Sequence, residues 1–211
     1  MKAAERRCIA RIRQNIAKGN EMDAMNLANG SRTEKRRELD FYPTPPEVTH
    51  ALMIYLKLDP CLVLEPACGD GAMSEVLKLY GHDVMSSDLR ESGYGVGGQD
   101  FLTSDGDYDA IITNPPFKHS EAFIRHAIPE ARVVAMVLKS QYWHAKKREQ
   151  LFREFPPAYV LPLTWRPDFQ GKGGSPTMEV HWTVWIEGDT NTKYRLLSRP
   201  DLSRLTTEHS K

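Results

Sequence analysis

The stretch that most constrains this chain is Ala110-Ile111-Ile112-Thr113-Asn114-Pro115-Pro116-Phe117-Lys118. Its β-branched apolar run reads as a buried strand. Two consecutive prolines cannot donate to a sheet ladder, so the strand stops at Asn114. Each proline also biases the residue before it away from helix. The result is a stiff, extended corner at a strand end. It carries an amide side chain, carbonyls stripped of neighbouring N–H groups, and an aromatic ring. That is a set of acceptors beside a flat apolar surface, and it suits a planar group bearing –NH2.

The segments around this corner read as an α/β domain. Leu62-Val63-Leu64 is a short buried strand that runs into Glu65-Pro66-Ala67-Cys68-Gly69-Asp70-Gly71. A helical pattern follows (Met73, Val76, Leu77, Tyr80), closed by Gly81. Strand, acid, Gly-x-Gly turn and helix describe the first βα unit of a Rossmann-type nucleotide site. Ser74 stands where a third glycine would complete a dinucleotide cradle, so a dinucleotide is disfavoured. Residues 82–88 form a second strand ending in Asp88, 17 residues after Gly71, where an acid commonly grips ribose hydroxyls. The connector with Gly93, Gly95, Gly97 and Gly98 ends at Asp100-Phe101, an acid and a ring suited to an adenine. Thr44 is placed to cap a helix over 45–57, with Pro45 at its first position and Glu47 three residues on. Further helices are expected at 119–128 and 145–154, and strands at 132–138, 159–165 and 178–186. Pro162 argues for an edge strand, and the short Gly/Pro-rich loop over 166–177 makes the last strand antiparallel. Trp182 and Trp185 fall on its opposite faces, as packing residues.

Length and charge set the boundaries. The 211 residues fit one domain with appendages: an arm at 1–39, a core at 40–187 and a polar, loosely ordered tail at 188–211. Net charge is zero, yet residues 1–38 carry ten Lys and Arg against five Asp and Glu. Such an arm is a solvated helical segment or a phosphate-contacting one. Cys8, Cys61 and Cys68 form no metal spacing and leave one thiol unpaired, which points to a reducing compartment. No run approaches the ~18 apolar residues of a membrane span, and the seven histidines show no ligand spacing. A cytoplasmic protein without metal is expected.

Taken in order, Phe41-Tyr42-Pro43-Thr44-Pro45, Glu65-Pro66-Ala67-Cys68-Gly69-Asp70-Gly71 and Asn114-Pro115-Pro116-Phe117 resemble the S-adenosylmethionine (SAM)-dependent N6-adenine DNA methyltransferases. The order matches that family's gamma-type arrangement and its small phage and prophage members. The likeness covers about residues 40–186. It implies a Rossmann-like class I methyltransferase fold, with a seven-stranded mostly parallel sheet in the order 3-2-1-4-5-7-6 and helices on both faces. The Asn114 segment is strand four of that order, and strand seven is antiparallel.

The resemblance also implies roles. Tyr42, Thr44 and Pro45 would line the methionine side of SAM. Glu65, Pro66, Ala67, Gly69 and Gly71 would hold its amino-acid portion. Asp88 would bind the ribose, and Asp100 and Phe101 the adenine. Asn114, Pro115, Pro116 and Phe117 would hold the base to be methylated, with Asn114 also bordering the cofactor and Phe169 opposite Phe117. The partner would be DNA with a flipped adenine or a single strand. Lys139, Tyr142, Trp143, Lys146, Lys147, Arg148, Arg166, Phe169 and Lys172 interleave cations with aromatics on two loops, as a nucleic-acid surface would. About 25 residues follow the last strand, so recognition of a short or relaxed site is expected rather than of a long one. RNA adenine, a glutamine amide of a protein, and a SAM- or nucleic-acid-binding module without turnover are the alternatives.

Overall fold

The computed structural model describes residues 43–169, 171, 173, 176 and 178–203. The basic arm, Tyr42, Lys172 and the residues from 204 onward lie outside the described residues.

A helix, α1 (Pro46–Leu56), leads into β1 (Leu62–Glu65), α2 (Ala72–Leu79) and β2 (Asp83–Ser86). Next come β3 (Tyr108–Thr113), α3 (Ser120–Ala127), β4 (Ala131–Lys139) and α4 (Glu149–Glu154). The chain closes with β5 (Tyr159–Pro162), β6 (Val180–Ile186) and β7 (Lys193–Tyr194). The seven strands form one sheet in the order β2-β1-β3-β4-β6-β5-β7. β1, β2, β3 and β4 are mutually parallel, and β6 runs antiparallel to both β4 and β5.

The period of two along each strand sorts side chains onto two cores. Ala110 and Ile112 of β3 face α1 and α2, together with Ala135, Val137 and Trp182. Ile111 faces α3 and α4, together with Val134, Met136, Leu138 and Trp185. Trp182 is fully buried, and its indole Nε1 donates to the Val48 carbonyl (3.0 Å), tying β6 to α1. Trp185 donates to the Phe155 carbonyl (2.9 Å) on the other face.

Four local expectations change. Among the described residues no strand takes the place of the expected strand three, beside β2. The glycines between β2 and β3 hold that edge irregular, with one bridge, Ser87↔Val96, and the seventh strand is instead β7 at the far edge. The tail read as loosely ordered therefore carries structure: β7 pairs with β5, and Leu197 is buried. Pro162 is not on the outermost strand, because it stands at the end of β5 and contributes its carbonyl there, accepting from Leu197 N–H (2.9 Å). The first helix begins at Pro46, and Thr44 does not cap it. Pro45 holds an extended conformation (φ −54, ψ 133), and the Thr44 hydroxyl is turned to a distant partner.

Candidate active site

β3, an interior strand paired with β1 and β4, carries Asn114 at its C-terminal end. Ile111, Ile112 and Thr113 are fully buried, so the strand end is rigidly placed. Pro115 is buried and Pro116 exposed, and the Pro116 carbonyl accepts from His119 N–H (2.8 Å) to start α3. Asn114 Nδ2 donates to Thr44 Oγ1 (3.1 Å), across 70 residues of chain. This bond anchors one end of the amide on Thr44. Asn114 Oδ1 is buried and has no hydrogen-bond partner among the described residues. A buried acceptor left open costs about 1–3 kcal/mol, which a donor arriving on a ligand would recover. Phe117 is half-buried, and the ammonium of Lys139, at the end of β4, lies 4.3 Å from its ring centroid. One face of that ring is a cation–π contact.

The glycine turn follows β1. Gly69 (φ +56) and Gly71 (φ +86) both adopt left-handed backbone, which other residues take up at a cost. Glu65, 2% exposed, closes β1 beside this turn. Ser74 of α2 donates to its Oε2, and Ser74 Oγ lies 2.6 Å from Ser86 Oγ of β2. Burial pushes the Glu65 carboxyl up to about 8; the Ser74 bonds oppose that shift, and Asp70 and Asp88 add to it. No cation pairs with Glu65 among the described residues, so a neutral carboxyl sits in a recess where a ligand cation would restore its charge.

The other expected residues divide. Asp88 is buried with both oxygens engaged: Oδ2 accepts from Gly69 N–H (2.9 Å) and Arg90 Nη2 (3.1 Å), Oδ1 from Arg90 N–H (2.8 Å) and Nε (3.1 Å). It braces the glycine turn, and a ribose would have to displace Arg90. Asp100 is exposed and caps a 3-10 turn by accepting from Leu102 N–H (3.0 Å). Phe101 is buried against Phe123 and His126, because the turn folds its ring over α3 and away from the open face. Phe169 is likewise in the core, so it does not stand opposite Phe117. Arg166 pairs with Glu179 (2.6 Å), and Tyr142 is buried. Lys146 and Lys147 remain exposed.

Residues that sequence reasoning passed over also belong here. Ser74 was visible only as the missing third glycine, yet it is the hydroxyl that holds Glu65. Tyr94, from the glycine connector, lays its ring over Gly71, where an added Cβ would come within 2.4 Å of it. Lys78 (2.8 Å) and Glu75 (2.5 Å) bind its hydroxyl. A tyrosine between glycines had no periodic signal to mark it. Among the described residues no group of three or more His, Cys, Asp or Glu is arranged to hold a metal ion, and no helix is long and apolar enough to cross a membrane.

No family model and no curated protein matches the chain. Solved structures do. A Pyrococcus horikoshii protein assigned as an RNA methyltransferase superposes with a TM-score of 0.59 at 17% identity, covering 76% of this chain and 90% of that one. The methyltransferase subunit of a type I restriction-modification system from Streptococcus thermophilus gives 0.59 at 14% identity, over 81% of this chain and 53% of that one. This chain thus spans about half the length of that subunit. A Listeria monocytogenes protein assigned to the class I SAM-dependent methyltransferases gives 0.53 at 15%, over 80% and 71%. At such identities the shared property is the fold, and that fold is the class I methyltransferase fold.

Proposed function

We propose that this chain transfers a methyl group from SAM to the exocyclic N6 amino group of adenine in DNA. The observation that carries the reading is Asn114 Oδ1: a buried acceptor with no partner among the described residues, its amide anchored on Thr44, on a proline corner at the end of β3. Similar folds in a restriction-modification methyltransferase subunit and in a protein assigned as an RNA methyltransferase support a nucleic-acid substrate.

An adenine amino group is a weak nucleophile, because its lone pair is delocalised into the ring. Asn114 Oδ1 and the Pro115 carbonyl would each accept one of its N–H bonds, drawing the nitrogen toward tetrahedral geometry and turning the lone pair outward. Phe117 would hold the ring plane, with Lys139 on one face. The catalytic effect is then orientation and electrostatics, without a strong base. The target must leave a duplex stack to reach this corner.

The residues present fit the cofactor in one respect and restrict it in another. Neutral Glu65 beside the positive-φ glycines is an acceptor for a cationic amino-acid portion. Asp88 reaches a ribose only if Arg90 gives way. When bound, SAM supplies an electrophilic methyl on sulfur.

The test is labelled methyl transfer to duplex DNA, single-stranded DNA, RNA and protein, with nucleoside analysis of the product. N6-methyl-2′-deoxyadenosine, released from DNA, is expected with wild type. Asn114→Ala should lose transfer while retaining cofactor binding in calorimetry. Label appearing in glutamine or in RNA alone would overturn the DNA reading.

A further inference from the structure

The loop after β4 builds a second recess at the same end of the sheet. It begins with a 3-10 turn, Ser140–His144, then a second, Lys146–Arg148, before α4. Trp143 stacks on Phe152 of α4, with ring centroids 3.9 Å apart and planes at 23°. Its Nε1 donates to His181 Nε2 of β6 (2.9 Å). Burial pushes the His181 imidazole down to about 4, so the ring is neutral at neutral pH, and the Trp143 bond makes Nε2 its unprotonated nitrogen. Arg148 lies 3.6 Å from the Tyr142 ring centroid and donates to the Tyr142 carbonyl (2.8 Å). Contacts from three elements thus fix an aromatic wall.

That wall bounds an open recess of about 490 Å³, lined also by His144, Lys146, Arg148 and Arg153; Arg148 is held on Tyr142 and Arg153 on Glu149, so Lys146 is the cation it offers to a phosphate. The acid of the lining, Glu149, is paired with Arg153 (2.8 Å). Lys146 is exposed, and no carboxylate lies within ion-pair distance of it among the described residues. The volume falls within the range of small-molecule sites. Paired aromatic rings with a cation beside them are the chemistry that receives a nucleobase and its phosphate. A base inside a duplex has both faces covered by its neighbours, so such a wall takes an unpaired one. The recess and the candidate active site are joined through the chain at the C-terminal end of β4. Lys139, the residue before the first turn, is the one whose ammonium meets Phe117.

We propose that this recess is a subsite for an unpaired nucleotide of the strand that carries the target, next to the nucleotide presented to Asn114. The proposal rests on the nucleic-acid reading of the Asn114 corner.

The experiment measures fluorescence anisotropy of the full chain with a labelled single-stranded oligonucleotide, and with an abasic strand of equal length. Trp143→Leu should weaken binding of the base-bearing strand about tenfold, the scale of one lost base–aromatic stack, and leave the abasic strand unchanged. Trp143→Phe should retain most of the affinity. Lys146→Ala should weaken both strands and lower the salt slope by about one phosphate equivalent. Trp143→Leu also removes packing against Phe152, so thermal melting is run beside it; Lys146→Ala touches no core contact and tests the site independently. Equal binding of the base-bearing strand by Trp143→Leu and wild type would overturn the subsite. So would an equal loss on the abasic strand, or equally strong competition by an acidic peptide. Trp143-dependent binding without methyl transfer to any nucleic acid would keep the subsite and reject the adenine reading. Methyl transfer with an unchanged KM for DNA in Trp143→Leu would reject the subsite alone.

Discussion

Asn114 presents its amide in two directions, and each end has a separate test. Thr44→Val removes the acceptor of Nδ2, so the amide is free to rotate and Oδ1 loses its aim. Transfer should fall by about 10- to 100-fold, the weight of one buried hydrogen bond, while Thr44→Ser restores it. Thr44→Val with wild-type turnover would mean that Thr44 does not orient Asn114. Glu65 gives a second prediction that needs no substrate. Its carboxyl is raised from 4.5 to about 8 by burial. Below its ordinary value both folded and unfolded states are protonated there, and Glu65 adds no pH dependence. Between that value and about 8 the folded state holds the extra proton, so Glu65's contribution makes stability fall as pH rises, and the loss is complete above about 8. Glu65→Gln has no proton to lose. The variant should gain stability relative to wild type, by a few kcal/mol, as pH goes from 5 to 9 in denaturant melts. Parallel pH profiles for the two proteins would contradict a buried, uncompensated carboxyl.

The glycine turn shows how an element is held from outside itself. Gly71 combines φ +86 with a tyrosine ring lying where a side chain would go. Gly71→Ala should cost about 1 kcal/mol from the backbone alone, plus displacement of Tyr94. Adding Tyr94→Ala should recover the second part and leave the first, so a double-mutant cycle in urea should show a coupling. Strict additivity would mean that Tyr94 does not rest on the turn. The same element shows what the sequence could and could not reveal. Leu62-Val63-Leu64 and the Ile111-Ile112-Thr113 run were legible because burial on both faces demands consecutive apolar residues. The Asn114 corner was legible because Pro-Pro leaves the chain few options. Phe101 and Phe169 were misplaced because an aromatic in a loop reads alike whether it faces a ligand or folds back into the core. The Asn114–Thr44 bond and the place of Tyr94 depend on contacts 70 and 23 residues apart, which no local pattern records.

Across the whole molecule a net charge of zero hides a separation of charge. Asp107, Glu130, Glu154, Glu187 and Asp189 line, together with Arg132, a cavity of about 470 Å³ at the end of the sheet where β3 and β4 begin; Glu154 and Asp189 are paired with Arg125 and Lys193, which leaves a smaller acidic excess. At the opposite end, Lys118, Lys146 and Lys147 are exposed and Lys139 meets Phe117. A polyanion approaching the acidic end is repelled and one approaching the Asn114 end is drawn in, so orientation precedes contact. In the sequence Lys146-Lys147-Arg148 is one basic run; in the structure it is two different things. Arg148 is folded onto Tyr142 and bound to its carbonyl, whereas the two lysines stand in solvent. Lys146→Ala with Lys147→Ala should therefore flatten the salt dependence of DNA binding by up to about two phosphate equivalents, equally for every sequence. Arg148→Ala should lower thermal stability and leave the slope nearly unchanged. Contacts of this kind position a strand without reading it, so methylation should extend to adenines in many contexts or in a motif of a few bases. A salt slope that ignores both lysines, or methylation confined to one long site, would show that the nucleic acid is held by another surface.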